Sequence, residues 1–140
     1  FLALLIGYAI SQVILTGTML VSLRVFPRLH PGSRIQDQLK KGNMALALRV
    51  SGQKIGTAFA LATAAQIVIY EEYDFAPMFL AWFAASIAAI VVLKIICRVA
   101  EKVILFRINL NDEVIRQQNI ALGAFQAVIY VSLGYLLSTL

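Results

Sequence analysis

The sequence predicts an all-α integral membrane protein, a bundle of four membrane-spanning helices that forms a single domain over residues 1–140. Three observations predict this class: the composition, four long apolar segments, and the confinement of basic residues to two places. Hydrophobic residues make up 61% of the chain and charged residues only 14%, whereas soluble domains carry about 25% charged residues. With a mean hydropathy of +0.84, the chain has more apolar surface than one core can bury, so lipid must cover the rest.

The four apolar segments run from residue 1 to about 26, from 44 to 70, from 75 to about 93 with a mixed continuation to 106, and from 120 to 140. Each reaches about the 20 residues that a helix needs to cross the hydrocarbon layer. Helices are expected because an isolated strand leaves its backbone groups unsatisfied in lipid. We interpret the first segment as a membrane helix and not as a cleaved signal, since it is longer than a typical signal core.

The basic residues predict an orientation. All 12 lysines and arginines lie around two junctions, one between the first and second segments and one between the third and fourth. The turn between the second and third segments reads Glu71-Glu72-Tyr73-Asp74 and has none. Because basic loops stay on the cytoplasmic side, both basic junctions are predicted to be cytoplasmic, with the acidic turn and both termini outside.

The chain contains an internal repeat, which is visible when the sequence is shifted by 76 residues. Residues 1–73 form the first unit and residues 74–140 the second, and two spans in each unit keep the units in the same orientation. Helix-capping signals precede each motif, Ser33 with Gln36 and Asn109 with Asp112. Each unit is predicted to hold a membrane helix, a connector with a short amphipathic helix, and a second membrane helix. The matching motif residues are Asp37, Lys40, Asn43 and Ala45 in the first unit, and Glu113, Arg116, Asn119 and Ala121 in the second.

This repeated pattern, an acidic residue, a basic residue and then Asn-x-Ala entering a Gly- and Ala-rich helix, resembles the domain-of-unknown-function 350 family of small bacterial inner-membrane proteins. The resemblance rests on residues 37–48 with Ser51, Gly52 and Gly56, and on residues 113–122. It covers nearly the whole chain. The second copy departs from the first at several positions; one of them is Gln118, which stands where the first copy has glycine. The resemblance implies a four-helix protein of the bacterial inner (plasma) membrane and fixes no biochemical activity.

Small residues recur every four positions on two of the predicted helices. Such stripes let helices approach closely, and packing drives helix association in membranes. We expect one stripe to pack inside the bundle, and the sequence leaves room for a contact with another subunit, in a homo- or hetero-oligomer. The stripe residues are Gly52, Gly56, Ala60 and Ala64 on the second helix, and Ala81, Ala85 and Ala89 on the third.

Two asparagines and two cations are candidates for a site. Asn43 and Asn119 begin the second and fourth helices, where they could bond each other, cap backbone groups or line a vestibule that faces the cytoplasm. Arg49 and Lys54 are the charges closest to the membrane interior. They could reach the lipid headgroups, or they could face a pore or a partner, as charges inside membranes usually do.

A basic stripe lies at the end of the third segment, where Lys94, Arg98 and Lys102 are spaced by four residues and so share one helix face. This stripe is predicted to bind anionic lipid or the acidic surface of a partner. The basic residues are few and lack a binding-fold motif, so nucleic acid is not an expected partner. The expected partners are the lipid bilayer and other membrane protein subunits.

The sequence offers no support for an enzyme. It has no nucleophile elbow, P-loop or metal-ligand cluster, so no catalytic residue, metal or cofactor is predicted. All seven acidic residues are placed outside the apolar cores. Gln12, Gln53 and Gln126 could form a buried polar network, which would serve either helix packing or a transport path. Two function classes remain. The chain is a structural or regulatory subunit of a larger inner-membrane assembly, or it is a pore or transporter subunit for a small solute or anion.

Overall fold

Helices form the regular structure in the part of the chain that can be described. The computed structural model describes residues 5, 6, 8–10, 12–14, 16, 17, 20, 35–67 and 75–140. The described residues of the first apolar segment are helical. An all-helical fold is therefore confirmed over the described residues. The later elements are α1 (Ile35–Lys40), α2 (Met44–Ile67), α3 (Phe75–Ile104), a π-helical turn (Asp112–Arg116) and α4 (Ile120–Ser138).

Two of the described helices are long and apolar enough to cross a membrane: Ala76–Ile104 within α3, and Ile120–Ser138, which is α4. Although α2 is 24 residues long and the sequence predicts a span there, it is not one of these two. Its composition explains this, because Arg49, Gln53 and Lys54 lie among alanines and glycines. Since α2 packs against both α3 and α4, its neighbours shield much of it from the surroundings. A four-span architecture remains a prediction.

The closest packing in the described fold joins α2 to α4 through a glycine seam, which we define as Gly52, Gly56, Gly123 and Gly134. A Cβ atom added at any of these glycines would lie within 3.0 Å of backbone atoms of the facing helix, a distance that real Cβ atoms essentially never show. Only glycine therefore permits this separation of the two backbones, as is common where helices pack inside membranes.

Further contacts extend the seam toward the ends of α2 and α4. The Thr63 hydroxyl donates a hydrogen bond to the Leu137 carbonyl oxygen at 3.1 Å. The rings of Phe59 and Tyr135 meet edge to face, with their centroids 5.6 Å apart. These contacts fix the two helices side by side along most of their length.

Two buried apolar clusters complete the core. One joins α2 to the π-helical turn and α4, and the other joins α3 to α2. The α3 cluster places one face of α3 inward and leaves the rest of that helix exposed. The first cluster comprises Ala45, Leu46, Val114 and Leu122, and the second comprises Ala60, Ala89, Leu93 and Cys97.

Several predictions concern residues outside the described part of the chain. They include the Ser33 half of the first capping pair, the acidic turn at residues 71–74, and the basic residues Arg24, Arg28 and Arg34.

Candidate functional site

Asn43 joins the start of α2 to the connector that precedes α4. Its side chain is buried, with 1% of its surface exposed. The Oδ1 atom accepts a hydrogen bond from the Leu46 amide at 3.0 Å and so caps α2. The Nδ2 atom donates to the carbonyl oxygens of Val114 and Ile115, at 3.1 and 3.3 Å. The Asn43 side chain thus supplies an acceptor to the first turn of α2 and a donor to two carbonyl oxygens of the second connector, the segment between α3 and α4.

Asn119 caps α4 in the same way. Its Oδ1 atom accepts a hydrogen bond from the Leu122 amide at 3.2 Å, and its Nδ2 atom donates to the Glu113 carboxylate at 3.3 Å. Unlike Asn43, this residue is exposed. The sequence allowed the two asparagines to bond each other, to cap backbone groups or to line a vestibule. Their hydrogen bonds correspond to the second of these roles, the capping of backbone groups.

The residue before each asparagine has a left-handed backbone. Gly42 has φ +80° and Gln118 has φ +53°. Glycine adopts this conformation at little cost, whereas a glutamine there is strained. The second copy therefore keeps the left-handed backbone of the first copy at this position, and its glutamine in place of glycine adds strain. The predicted capping role of Asn109 is also observed, since its Oδ1 accepts from the Asp112 amide at 3.4 Å.

The charged members of the repeated motif lie on or near the surface of the connectors. Asp37 and Lys40 are exposed on α1, and Glu113 is half-buried. Arg116 pairs with Asp112 at 2.9 Å, with 81% of the arginine side chain exposed. Ion pairs this exposed contribute little to stability. These charges shape the connector surface and lie outside the bundle core.

Arg49 and Lys54 are partly buried on α2. The Nη1 atom of Arg49 donates to Asn111 Oδ1 at 3.2 Å, so this cation ties α2 to the second connector. Lys54 lies farther along α2 and is within electrostatic range of Lys94 on α3.

The expectation that every acidic residue lies outside the apolar cores is wrong for Glu101. This residue lies in α3, within the stretch that is long and apolar enough to cross a membrane, and is 8% exposed. Its Oε1 atom accepts a hydrogen bond from Gln126 Nε2 at 2.7 Å. Gln126 is fully buried on α4, so the pair links α3 to α4 from within the bundle.

Helical spacing carried a signal for this burial that the sequence interpretation missed. Leu93, Cys97 and Glu101 are separated by four residues and therefore share one face of α3. Leu93 and Cys97 are both buried. The basic residues around them lie on the exposed side of the same stretch. Those basic residues led to the prediction that Glu101 lies outside the apolar cores.

Further polar groups surround the Glu101–Gln126 pair. The Tyr130 hydroxyl lies beside the Gln53 side chain of α2 and within electrostatic range of Glu101. We call Gln53, Glu101, Gln126 and Tyr130 the polar cluster. Two of the three glutamines interpreted as a network thus lie in it, whereas Gln12 lines a separate crevice.

The polar cluster offers hydrogen-bonding chemistry that connects three helices. A carboxylate inside an apolar span is costly unless it is paired, and such groups often mark functional positions. Here Gln126 supplies one donor, while its own Oε1 atom has no hydrogen-bond partner among the described residues. The cluster can hold α3 in register with α4. Within the described ranges, no group of three His, Cys, Asp or Glu side chains is placed to hold a metal ion.

The small-residue stripes and the basic stripe lie in different surroundings. All four stripe residues of α2 are buried. On α3, Ala81 is exposed, Ala85 is half-buried and Ala89 is buried, so this stripe passes from the surface into the bundle. Of the motif alanines, Ala45 is fully buried against α4, and Ala121 is exposed. The side chains of the basic stripe are exposed, and these are Lys94, Arg98 and Lys102.

Comparison with known proteins identifies a family. The sequence pattern of the family described as Domain of Unknown Function (DUF350) matches residues 1–140, which is the whole chain. No curated protein and no solved structure matches it. The family match agrees with the resemblance carried by the residues around Asn43 and Asn119. The chain therefore belongs to the DUF350 family.

Proposed function

We propose that the chain is a structural or regulatory subunit of a larger assembly in the bacterial inner membrane. In this proposal it has four membrane helices in two tandem units, residues 1–73 and 74–140. Both basic junctions are cytoplasmic, and the acidic turn and the termini are outside. The glycine seam between α2 and α4 is the observation that carries the proposal. Such close backbone packing is typical of a scaffold and leaves no channel for a solute between these two helices.

The seam supports a structural role because it leaves no room for a solute between α2 and α4. Backbone atoms of each helix occupy the space that a Cβ atom of the facing glycine would need. At the connector end, Asn43 and Asn119 use their amide groups for helix caps and connector contacts. A dry seam of this kind is expected in a subunit that supports others.

The exposed face of α3 supports the presence of a partner. Ala81, Ala84 and Ala88 are all exposed, and their spacing places them on one face. We call these three residues the alanine face. The larger exposed residues Phe83 and Ile87 flank it. Because small residues let a neighbouring helix approach closely, the alanine face suits a transmembrane helix of a partner subunit.

The test is to purify the tagged full-length chain from its native membranes in mild detergent and to measure native mass. A defined complex with a second protein, lost in Ala84→Phe and kept in Ala121→Phe, would support the proposal. Ala121 is an exposed alanine on α4 and serves as the matched control. A monomer or homo-oligomer with nothing else bound would contradict the subunit role. Recovery in the soluble fraction would contradict the membrane placement.

A second candidate is a pore or transporter subunit for a small solute or anion. One observation favours it: Lys54 on α2 and Lys94 on α3 lie within electrostatic range of each other. Ionisable groups inside spans often mark ion pathways. Purified chain in liposomes should then release chloride, and Lys54→Gln should slow release about tenfold while Lys102→Gln does not. Release no faster than from empty liposomes would remove this candidate.

A further inference from the structure

A crevice of about 490 Å³ lies between the first apolar segment, α2 and α3. Its wall includes Gln12, Leu61, Gln66, Trp82 and Ser86. Gln66 stands one residue before the end of α2, and Trp82 lies in the second turn of α3. The crevice is therefore at the end of the bundle that is opposite the connectors and the polar cluster.

Two buried donors line this crevice without a hydrogen-bond partner among the described residues. They are Trp82 Nε1 and Ser86 Oγ, in side chains that are 7% and 1% exposed. The two residues are one helical turn apart and so share a face of α3. Buried polar groups in folded proteins are nearly always hydrogen-bonded. Because an indole N–H can only donate, its partner must be an acceptor atom.

The rest of the lining narrows the chemistry of that partner. No Lys, Arg, Asp or Glu side chain lines the crevice in the described part of the chain, so an ionised group would be poorly compensated there. Leu61 and several alanines supply apolar wall. The volume lies in the range of about 300–1,000 Å³ that is typical of ligand pockets and far exceeds the share of about 30 Å³ for one water. An uncharged oxygen acceptor on an apolar body fits these features.

The depth of the donors indicates where such a molecule would come from. At a rise of 1.5 Å per residue, Trp82 and Ser86 lie about 10 and 16 Å from the first residue of α3. The hydrocarbon layer of a bilayer is about 30 Å thick. If α3 enters the layer at its first residue, Trp82 lies in the half nearest the acidic turn and Ser86 lies close to the midplane, so both donors are within reach of lipid-phase molecules.

We propose that this crevice binds the uncharged carbonyl end of a lipidic molecule. The carbonyl oxygen accepts hydrogen bonds from Trp82 and Ser86, and the attached chain lies along Leu61 and the alanines of α2. The inference rests on the membrane placement proposed above. Two sources share this chemistry, the acyl ester of an uncharged diacylglycerol and the ring of a membrane quinone.

The test uses Trp82 itself, since it is the single tryptophan of the chain. Full-length chain, extracted from the membrane fraction in mild detergent, is titrated in one arm with decylubiquinone and in the other with a diacylglycerol that carries brominated acyl chains. Saturable quenching of tryptophan fluorescence is expected in at least one arm. Ser86→Ala should raise the half-saturating concentration about fivefold, the effect of losing one net hydrogen bond.

Two phenylalanine variants separate the crevice from the general surface. Ala62→Phe fills the crevice from α2 and should raise half-saturation at least about tenfold. Ala121→Phe is the matched control, because Ala121 is exposed on α4 and does not line the crevice. Circular dichroism checks the fold of each variant, and Ser86→Ala keeps the test decisive if a phenylalanine variant misfolds.

The outcomes are distinct. Saturable quenching in one arm only would name that source, and saturation in both would assign a site for carbonyl-bearing lipids in general. Quenching that rises linearly and equally in the unmodified chain and Ala62→Phe would overturn the proposal, because Trp82 would then report only the bulk detergent phase. Since the chain is first recovered from membranes, this failure is separable from a failure of the membrane placement.

Discussion

Replacement of Gly52 by alanine should force α2 and α4 apart. A Cβ atom at this position would lie 2.5 Å from the Ala127 Cβ atom and closer still to its Cα atom. Because the nearest obstacle is backbone, no rotation of a side chain relieves the clash. The helices must shift, and the contacts that depend on their separation weaken with them.

The magnitude follows from two opposing terms. An extra methyl group in a packed seam costs about 1–3 kcal/mol, and replacing glycine by alanine in a helix returns up to about 1 kcal/mol. We expect Gly52→Ala to lower the free energy of unfolding by about 1–2 kcal/mol. Gly17→Ala is the matched control, since nothing lies within 4 Å of a Cβ atom built there. Its stability should be unchanged or higher by up to about 1 kcal/mol.

The assay is reversible unfolding of the purified variants in mixed detergent micelles, followed by far-ultraviolet circular dichroism. A second substitution, Ala127→Gly in the Gly52→Ala background, should restore only part of the loss because the Cα atom of residue 127 remains in place. If Gly52→Ala were as stable as the unmodified chain and equal to Gly17→Ala, α2 and α4 would not be in close contact and the reasoning would be refuted.

Three further predictions concern the connectors and the polar cluster. Asn43→Ala should lower the free energy of unfolding by about 2 kcal/mol and Asn119→Ala by about 1 kcal/mol. The loss is larger at Asn43 because its removal also leaves two connector carbonyls without a donor. Equal losses in denaturant unfolding would contradict this. Gln118→Gly should raise the free energy of unfolding by up to about 1 kcal/mol by relieving the left-handed strain, and a lower melting temperature would count against it. Glu101→Leu should lower the free energy of unfolding by about 1–3 kcal/mol, because Gln126 Nε2 loses its acceptor. Glu101→Gln keeps an acceptor oxygen, so its free energy of unfolding should stay within about 1 kcal/mol of that of the unmodified chain. Equal losses in thermal unfolding would mean that the charge, and not the hydrogen bond, holds the pair.

The sequence by itself determined where the long helices begin. The apolar segments predicted to start at residues 44, 75 and 120 coincide with the first residues of α2, α3 and α4. These boundaries are local, because an asparagine or an apolar run acts on the backbone of its own neighbours. The cap at Asn119 and the family were likewise predictable from short stretches of sequence.

Only the tertiary structure decided which helix faces meet. The sequence showed Gly52 and Gly56 as a stripe but did not show that Gly123 and Gly134 complete the seam from α4. It placed Glu101 outside the apolar cores because that residue follows a basic, mixed stretch, yet the approach of α4 buries it against Gln126. Burial depends on the relative rotation and separation of helices that are distant in sequence, and residue patterns within a single helix do not specify either quantity.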